Sequence, residues 1–424
     1  MPRFPPLIRL SFFMKSPEVF TAGAVQSVLK SHAMAAMDVV SPYLPAPSVS
    51  GPQRIPKARP GSGDDNAEVP PRAWSKTRRV LVKEVNWLGD LVLSLPALRV
   101  LRGAFAGAAL SVLVRQELAG FFDGIQWVDE VIPYTLHAGI RGWADQRRII
   151  AAVRARRLDL AVIFPNSFRS ALWTMLAGVP CRAGYATDGR RCLLTHHTVP
   201  QVSAMKGHQS QYWLGMVSGT LGIPPALPDG LSYRVEVSPQ TVGRMRQWLA
   251  SHRRNRDAPV IALSSAAAYG PAKEWPSIYY SRLIDLLSGH SGAECVLLGT
   301  ASERKKCEQL AAMSRTGAIV AAGDTDVAEL KALLSLCNGF AGNDSGAMHL
   351  AAALGIPSVG IFGSTNPVRT GPVGPKATSI YHPVTCSPCL KRTCRFGHYQ
   401  CLRGIEPSEI ASALTELGAF ATAC

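Results

Sequence analysis

The chain has 424 residues, 47% of them hydrophobic and 17% charged, and 45 lysines and arginines against 29 aspartates and glutamates give a formal net charge of +16. This composition excludes wholesale disorder, a collagen-like repeat and a small disulfide-stapled scaffold. The longest uncharged stretch, residues 345–368, is interrupted by Pro357 and Pro367, so it predicts a helix, a turn and a strand rather than one membrane-spanning helix.

Residues 1–76 differ in composition from the rest of the chain. Eight prolines fall between positions 42 and 71, beside a Gly61-Ser62-Gly63 run. Such a stretch is typical of a flexible, partly extended linker. We therefore predict that residues 1–76 form a disordered, proline-rich N-terminal extension.

From residue 78 onward, short apolar runs alternate with helical segments. This alternation predicts an α/β fold with parallel sheets covered on both faces. A first predicted helix covers residues 90–102. The predicted strands of the first series are 79–83, 109–114, 128–133, 160–164 and 181–185.

A second series of alternating strands and helices begins near Pro259. Its predicted helices are 279–288 and 327–336, and the join between the two series lies around residues 235–257. The cleft between two such sheets, at the carboxyl ends of their strands, is the default ligand site. The predicted strands are 260–263, 294–298, 318–320, 338–341 and 358–362.

A first motif, Asn86-Trp87-Leu88-Gly89-Asp90, closes the first predicted strand. Gly89 permits a tight backbone path, and Asp90 is expected at the N-cap of the next helix. Two interpretations of this carboxylate stay open. It either caps the helix by accepting backbone N–H bonds, or it acts as a general base in the cleft.

A second motif, GNDSGAMH at residues 342–349, follows an apolar strand and opens a helix that ends near Leu354. Gly346 lets a phosphate approach the backbone, where the free N–H groups of the first helical turn bind an anion. Asp344 is expected to cap the helix or to hold ribose hydroxyls. His349 either donates to a phosphate or packs in the core.

A third motif, YGPAKEWP at residues 269–276, predicts a loop, because two prolines and a glycine oppose regular structure. Lys273 either neutralises a diphosphate leaving group or is an ordinary surface lysine. The sequence contains no Walker-type phosphate loop and no strand-linked G-x-G-x-x-G. This argues against a P-loop NTPase and against an NAD dehydrogenase.

In this order on two α/β halves, the WLGD, GPAKEWP and NDSGAMH motifs resemble the ADP-heptose:lipopolysaccharide heptosyltransferases of glycosyltransferase family 9. FPNSFRSA at residues 164–171 adds to the resemblance, which covers roughly residues 78–420 and is strongest for the heptosyltransferase II branch. The resemblance implies a GT-B fold, with two Rossmann-like parallel-sheet domains facing across a cleft. Residues 77–235 would form the acceptor-binding domain and residues 236–424 the ADP-sugar-binding domain.

The resemblance also implies an inverting transfer of heptose from ADP-L-glycero-β-D-manno-heptose to the inner core of lipopolysaccharide. Asp90 matches the general base, and Lys273 matches the lysine that contacts the diphosphate. No cofactor is expected. The positions that match donor-binding residues are Glu303, Asp344, Ser345, Gly346 and His349, and those on the acceptor side are Asn166, Ser167 and Arg169.

The partners that the resemblance implies are the ADP-sugar donor and an acceptor of the lipid A–Kdo type. It further implies a cytoplasmic location with peripheral contact to the inner-membrane surface. Two alternatives stay open. One is a GT-B glycosyltransferase with another acceptor or nucleotide sugar. The other is a non-catalytic sugar-nucleotide-binding module, because residues 264–268 read SSAAA where the family commonly has a P-G-A-like run.

Five arginines cluster on or near one predicted helix. The favoured interpretation is a solvated helix face, and the alternative is attraction to a phosphate-rich acceptor or an anionic membrane surface. The sequence shows no RNP-like aromatic pattern and no zinc-finger histidine pair, so we predict no nucleic-acid partner. The clustered residues are Arg147, Arg148, Arg154, Arg156 and Arg157.

Four cysteines near the C-terminus, Cys386, Cys389, Cys394 and Cys401, raise the question of a structural zinc site. The C-x-x-C start fits such a site, but the later spacings fit no common zinc finger. We therefore favour no metal, with free cysteines in a surface loop as one alternative and zinc as the weaker one.

Overall fold

Two six-stranded sheets, each parallel throughout, form the framework of the computed structural model. The structure describes residues 74–225 and 233–420. Of the predicted extension 1–76, residues 1–73 lie outside this part of the chain. The predicted α/β class with two parallel sheets is confirmed.

The first sheet is built from the N-terminal series of strands. Its order is β3-β2-β1-β4-β5-β6, which is the order of a dinucleotide-binding Rossmann sheet. The strands are β1 (Arg79–Lys83), β2 (Ala109–Arg115), β3 (Glu130–Tyr134), β4 (Leu160–Ile163), β5 (Cys181–Tyr185) and β6 (His196–Thr198). The helices are α1 (Leu88–Ala104), α2 (Gly139–Ala155), α3 (Phe168–Leu176), α4 (Val202–Lys206) and α5 (Gln209–Leu221).

The second sheet repeats the same order in the C-terminal half, with the six strands arranged β12-β11-β10-β7-β8-β9. Its strands are β7 (Val260–Ser264), β8 (Glu294–Leu298), β9 (Ile319–Val320), β10 (Gly339–Asn343), β11 (Ser358–Phe362) and β12 (Ala377–Tyr381). The helices are α6 (Pro239–His252), α7 (Ser277–Ser291), α8 (Arg304–Met313), α9 (Val327–Ser335), α10 (Gly346–Ala353), α11 (Pro367–Thr370), α12 (Gln400–Arg403) and α13 (Pro407–Glu416).

The central strands form because their residues are apolar and find cover on both faces. Val80, Leu81 and Val82 of β1 are fully buried, as are all five residues of β10 and β11. A strand buried on both faces needs no alternation of polar and apolar residues, which is why these runs are nearly continuous in the sequence.

The structure corrects three local predictions. Asp90 is not an N-cap but the third residue of α1, whose N-cap is Trp87. The second sheet extends one strand beyond the last predicted strand, 358–362, because β12 pairs with it. The loop at 269–276 contains one 3₁₀ turn, Pro271–Lys273, in which Pro271 supplies a fixed φ at the first position.

The strand order fixes where a ligand can bind. In each sheet the chain reverses its direction of winding between two neighbouring strands, β1 and β4 in the first sheet and β7 and β10 in the second. Ligands of open α/β sheets bind beyond the carboxyl ends of such strands. The predicted domain boundary between residues 235 and 236 stays a prediction.

Candidate active site

The amino ends of α1 and α10 touch each other through two glycines. A Cβ added to Gly89 would lie 2.9 Å from Cδ2 of His349, and one added to Gly346 would lie 2.8 Å from Cβ of Leu88. Real side chains do not pack this closely, so only glycine allows this approach at either position. The first and second motifs, and with them the carboxyl edges of the two sheets, therefore meet at this contact.

Asp90 lies in the first turn of α1 beside this contact and is partly buried. Burial raises the pKa of its carboxyl group to about 6, the positive charge of Lys273 opposes the rise, and the negative charge of Asp344 adds to it. Among the described residues, none hydrogen-bonds to the Asp90 carboxylate or forms an ion pair with it. The group is therefore free to accept a proton from a bound molecule.

Lys273 and Asp344, both from the second half of the chain, form an ion pair with Nζ 2.6 Å from Oδ2. The same oxygen accepts hydrogen bonds from the hydroxyls of Thr365 at 2.7 Å and Thr370 at 3.4 Å. Asp344 does not cap α10, because the N-cap position belongs to Ser345. Asp344 instead fixes Lys273 in place through a charge-assisted hydrogen bond.

His349 is buried beneath the first turn of α10, against Gly89. Burial lowers the pKa of its imidazole to about 4, so the ring is neutral at pH 7. Its Nε2 lies 3.8 Å from Oδ1 of Asp344, too far for a hydrogen bond. Its Nδ1 is buried and has no hydrogen-bond partner among the described residues.

Three buried hydroxyls of this region also have no hydrogen-bond partner within the part of the chain that the structure describes. They are Oγ of Ser265 after β7, Oγ of Ser345 after β10 and Oγ of Ser364 after β11. Buried polar atoms are normally paired, and unpaired ones indicate an unfilled role. Together with His349 Nδ1, they mark the carboxyl edge of the second sheet as a place where a polar ligand can bind.

Asn343, the last residue of β10, connects the carboxyl edge of the second sheet to the loop at residues 269–276 that carries Lys273. Its Oδ1 accepts hydrogen bonds from the backbone N–H of Trp275 at 2.9 Å and the hydroxyl of Tyr280 at 3.1 Å. Its Nδ2 donates to the carbonyl of Ser265 at 2.9 Å. Asn343 lies within the second motif, but no local pattern predicts its role, since its three partners come from distant parts of the chain.

The segment that holds the four cysteines, residues 386–401, contacts the loop at residues 269–276 that carries Lys273. The N–H of Ala272 donates to the carbonyl of Arg392 at 2.9 Å, and the hydroxyl of Tyr269 donates to the carbonyl of Leu390 at 2.6 Å. The four cysteines themselves are free thiols, and Sγ of Cys386 lies 3.9 Å from Nε2 of His398. Within residues 74–225 and 233–420, no group of three or more His, Cys, Asp or Glu side chains is placed to hold a metal ion.

Glu303 belongs to a capping box at the start of a 3₁₀ turn after β8. Its Oε2 accepts hydrogen bonds from the backbone N–H of Thr300 at 2.7 Å and from the Thr300 hydroxyl at 2.9 Å. The local structure therefore already uses this carboxylate. Its predicted role as the acid that holds the ribose stays a prediction.

The three acceptor-side residues follow the carboxyl end of β4. Asn166 donates to the hydroxyl of Tyr212 at 2.7 Å, and Oγ of Ser167 caps α3 by accepting from the N–H of Ser170. Arg169 is exposed, and its positive charge opposes the rise that burial causes in the pKa of Tyr134, on the far side of β1. Asn166 and Ser167 are thus engaged in hydrogen bonds within the fold, whereas the exposed guanidinium group of Arg169 is available to a ligand.

Lys83, which sequence analysis missed, ends β1 at the same edge. It is buried, its Nζ donates to the carbonyl of Glu84 and to Oδ1 of Asn86, and it lies 4.9 Å from the ring centroid of Tyr134. Burial lowers its pKa to about 7. A lysine at the end of an otherwise apolar strand was the signal that could have identified it.

Comparison with known proteins identifies the family. The family model for glycosyltransferase family 9 (heptosyltransferase) matches residues 146–400, which is more than half of the chain. The chain belongs to glycosyltransferase family 9. It is therefore a glycosyltransferase, as the three motifs predicted.

Individual relatives agree with this assignment. Over 350 residues the chain is 29% identical to lipopolysaccharide heptosyltransferase 2 of Escherichia coli K12, covering 80% of this chain and 98% of that relative. It is 27% identical to lipooligosaccharide heptosyltransferase 2 of Haemophilus ducreyi, covering 80% and 99%. The resemblance to family 9 and to heptosyltransferase II is thus confirmed.

Solved structures show the same fold. The structure of E. coli ADP-heptose lps heptosyltransferase II matches with a TM-score of 0.69 at 24% identity, covering 80% of this chain and 98% of that one. E. coli heptosyltransferase WaaC with ADP matches with a TM-score of 0.61 at 18% identity, covering 80% and 100%. The predicted GT-B fold of family 9 is confirmed.

Among the described residues, no helix combines the length and the apolar character needed to cross a bilayer.

Proposed function

We propose that the chain transfers heptose from ADP-L-glycero-β-D-manno-heptose to the inner core of lipopolysaccharide, as a heptosyltransferase II-like enzyme that inverts the anomeric configuration. The similarity to lipopolysaccharide heptosyltransferase 2 and to ADP-heptose lps heptosyltransferase II of E. coli supports this donor and this acceptor. We further propose that the enzyme works on the cytoplasmic side of the inner membrane, on an acceptor of the lipid A–Kdo type.

The proposal rests on two opposite charges, those of Asp90 and Lys273, near the point where Gly89 approaches Gly346, called here the glycine contact. An unpaired carboxylate, Asp90, faces an anchored ammonium group, Lys273, and each comes from a different sheet. A transfer between two bound substrates needs this arrangement, since one substrate must lose a proton while the other gains negative charge.

In the reaction that we propose, Asp90 accepts the proton of an acceptor hydroxyl. The freed oxygen attacks the anomeric carbon, and the bond from that carbon to the diphosphate oxygen breaks on the opposite face. The electron pair of the broken bond leaves with ADP. Lys273 and the N–H groups of the first turn of α10 stabilise the charge that develops on the diphosphate.

The donor-binding roles follow from the unpaired polar atoms of the second sheet. Ser345, Gly346 and His349 stand at the start of α10, where a neutral imidazole can donate one hydrogen bond to a phosphate oxygen. Asp344 positions Lys273, and Glu303 is proposed to hold the ribose. Because Lys273 and the helix supply the positive charge, we propose that turnover requires no metal ion.

The acceptor-binding role rests on the positive charges at the carboxyl edge of the first sheet. Arg169 begins α3 after β4 and is exposed, and Arg115 ends β2 at the same edge, where it pairs with Glu117. Lys83 ends β1 but is buried, so it supports this edge from inside and does not meet a ligand directly. An exposed arginine suits an acceptor that carries carboxylate or phosphate groups. Asn166 and Ser167 shape the loop that presents Arg169.

The test is mass spectrometry of a lipid A–Kdo acceptor after incubation with ADP-heptose and the purified chain. The acceptor mass should rise by one heptose residue, and ADP should be released in equal amount. Asp90→Asn should lower turnover by about a hundredfold or more while ADP affinity stays within about twofold. Asp257→Asn, which changes an exposed carboxylate far from the site, should behave like the parent protein.

The competing interpretations give different results. Tight ADP binding with no turnover, unchanged by Asp90→Asn, would support a non-catalytic binding module. Release of ADP without a change of acceptor mass would indicate a different acceptor. A near-normal rate for Asp90→Asn would remove Asp90 as the base.

A further inference from the structure

Helix α2 turns one face inward and leaves the other without cover. Its buried residues, Gly142, Asp145, Ile149 and Val153, recur at helical spacing and pack on the first sheet. On the opposite face, Ile140 is 91% exposed and Trp143 is 44% exposed. Two large apolar side chains therefore stand in solvent near the start of this helix.

The charges of the outward face all have one sign. The single acidic residue of α2, Asp145, points inward and accepts hydrogen bonds from the backbone N–H of His137 at 3.0 Å and from its ring Nδ1 at 2.8 Å. Arg141 and Arg147 are exposed and have no ion-pair or hydrogen-bond partner among residues 74–225 and 233–420. Arg148 pairs with Asp145 of the same helix at 3.4 Å, so the uncompensated positive charge of the outward face comes from the other exposed arginines, Arg141 and Arg147.

The five arginines of the sequence cluster divide into two groups. Arg156 lies at the C-cap of α2 and binds both carboxylate oxygens of Glu130, at 2.8 and 2.6 Å, so its charge is neutralised within the fold. Arg157 follows the helix with a positive φ. Arg147, Arg148 and Arg154 remain on the helix beside the exposed apolar side chains.

A shallow cavity lies where α2 meets the end of α3. Its volume is about 560 Å³, and at one side stands Leu176, which is 41% exposed. Arg154 closes part of the gap by donating to the carbonyl of Leu176 at 2.6 Å. The lining consists of Arg147, Arg148, Ile150, Ala151, Arg154 and Leu176.

The place of α2 on the first sheet determines where its outward face begins. Because α2 follows β3, its start with Ile140 and Trp143 lies towards the carboxyl edge of the first sheet, the edge that carries Lys83. From Ile140 to Arg154 the helix extends about 20 Å along the surface. The uncovered face therefore begins at the edge where the proposed acceptor binds.

We propose that the outward face of α2, formed by Ile140, Trp143, Arg147 and Arg154 and called here the α2 face, docks on the surface of an anionic phospholipid bilayer. The apolar side chains enter the interface between headgroups and acyl chains, and the arginines contact lipid phosphates. A merely solvated face has no need of an isoleucine and a tryptophan between its arginines. The link to catalysis rests on the proposed function, since a lipid-anchored acceptor is reached from the membrane surface.

The test is sedimentation of the full chain with two kinds of vesicle, phosphatidylethanolamine mixed with phosphatidylglycerol, and phosphatidylcholine alone. The parent protein should bind the first kind and bind the second much more weakly. Each arginine contributes about fivefold to partitioning on an anionic surface. The double variant Ile140→Ser/Arg147→Gln should therefore lose about tenfold or more of its vesicle binding, and raised salt should weaken what remains.

A matched control comes from the second half of the molecule. Ile278→Ser/Arg282→Gln removes one exposed isoleucine and one exposed arginine from α7, and vesicle binding should stay within about twofold of the parent. Equal losses in both double variants, or unchanged binding in the α2 variant, would overturn the proposal. A change of oligomeric state in light scattering of the α2 variant, without loss of vesicle binding, would assign the face to a second copy of the chain and overturn it as well.

The result of the vesicle-binding experiment does not depend on whether the proposed heptose transfer is confirmed. Both double variants should transfer heptose to a detergent-dispersed acceptor at the parent rate, because neither touches the glycine contact. If the parent protein lacks transferase activity but binds anionic vesicles through the α2 face, the proposed function fails and the docking surface stands.

Discussion

Burial moves the pKa values of the ionisable side chains around the two-sheet junction in opposite directions. It raises the pKa of Asp90 to about 6 and lowers that of His349 to about 4. At neutral pH the carboxyl group is therefore ionised but close to its midpoint, and the imidazole is uncharged. A base with a pKa near the working pH combines the correct protonation state with good proton affinity.

The pH dependence of turnover should report Asp90. Its raised pKa means that the group is protonated, and cannot accept a proton, below about pH 6. We expect kcat/KM to fall about tenfold for each pH unit below this value and to level off above it. Initial rates between pH 5 and pH 8 check the prediction, and a rate that stays flat down to pH 5 would contradict it.

Stability should change in the direction opposite to activity. Because folding raises the Asp90 pKa from its ordinary 3.8, ionised Asp90 costs stability, a cost that is absent below pH 3.8 and complete above about pH 6. The partly exposed Asp90→Asn variant should gain about 1–2 kcal/mol in free energy of unfolding near pH 8 and nothing in strong acid. Urea unfolding at the two pH values measures this difference. A loss of stability at alkaline pH would show that the carboxylate makes contacts that this structure lacks.

Lys273 should matter for the donor, and also for the fold through its buried ion pair with Asp344. Lys273→Ala removes the ammonium group that pairs with Asp344 and is expected to stabilise the leaving diphosphate. We expect kcat to fall about a hundredfold and donor KM to rise, with acceptor KM unchanged. Steady-state kinetics with each substrate varied in turn measure this, and the exposed Lys376→Ala serves as the control. Unchanged donor constants would count against the role of Lys273.

At the scale of elements, the site depends on how closely two helices approach. Gly89 of α1 faces the ring of His349, and Gly346 of α10 faces Leu88. Any side chain at either position must move one helix relative to the other. The Asp90 carboxylate then no longer lies at the correct distance from the first turn of α10. Displacements of about 1 Å can lower the rate about a hundredfold.

A pair of alanine variants on one helix tests this contact. Gly89→Ala places its Cβ 2.9 Å from His349 and should lower turnover about ten- to a hundredfold. Gly103→Ala, also in α1, meets nothing within 4 Å. It should leave turnover unchanged and add up to about 1 kcal/mol of stability, because alanine favours a helix over glycine. Equal activity in the two variants would contradict the close-contact interpretation.

Strands buried on both faces were predictable from the sequence, and two of the four edge strands were not. The predicted bounds of β1, β5, β8 and β11 agree with the structure residue for residue. The missed strands β6 and β12 lie at sheet edges and consist of half-exposed residues, HHT in β6 and ATSIY in β12. A strand that pairs on one side only needs no apolar run, so its sequence carries little signal.

The same distinction applies to the site. Asp90, Lys273 and the start of α10 were predictable because each belongs to a short motif next to a strand end. Thr365, which donates to Asp344, and Asn343 act through partners far away along the chain. Such contacts depend on tertiary packing, which no local pattern encodes. The signal for Thr365 was weak but present, a polar Gly-Ser-Thr-Asn run directly after a buried strand.

At the scale of the whole molecule, a buried lysine joins the two halves away from the site. Lys331 of α9 donates through Nζ to the carbonyl of Phe121, at 2.7 Å, and to that of Asp123. Thr241 of α6 reaches the same segment, donating to Oδ2 of Asp123 at 2.7 Å. The second half thus satisfies the orphan carbonyls at the end of a 3₁₀ turn in the first half.

Removing this lysine should loosen the connection between the halves. Lys331→Met keeps the length of the side chain but leaves two buried carbonyls unpaired, at a cost of about 2–4 kcal/mol in free energy of unfolding. Urea unfolding should show an earlier midpoint, and limited proteolysis should cut faster between the two sheets. The exposed Lys305→Met is the control. Parent-like resistance to both would show that other contacts suffice.

Because of the glycine contact, substitutions at positions far apart in the sequence depend on each other. A methyl group at residue 89 has room only if the ring at residue 349 becomes smaller or turns away, so the two positions cannot vary independently. Sequences that diverge here should change in pairs, and a combinatorial library over 88, 89, 346 and 349 should recover compensated pairs rather than single replacements. The same constraint suggests a route to inhibition, because a molecule that separates these two turns would move Asp90 away from the first turn of α10.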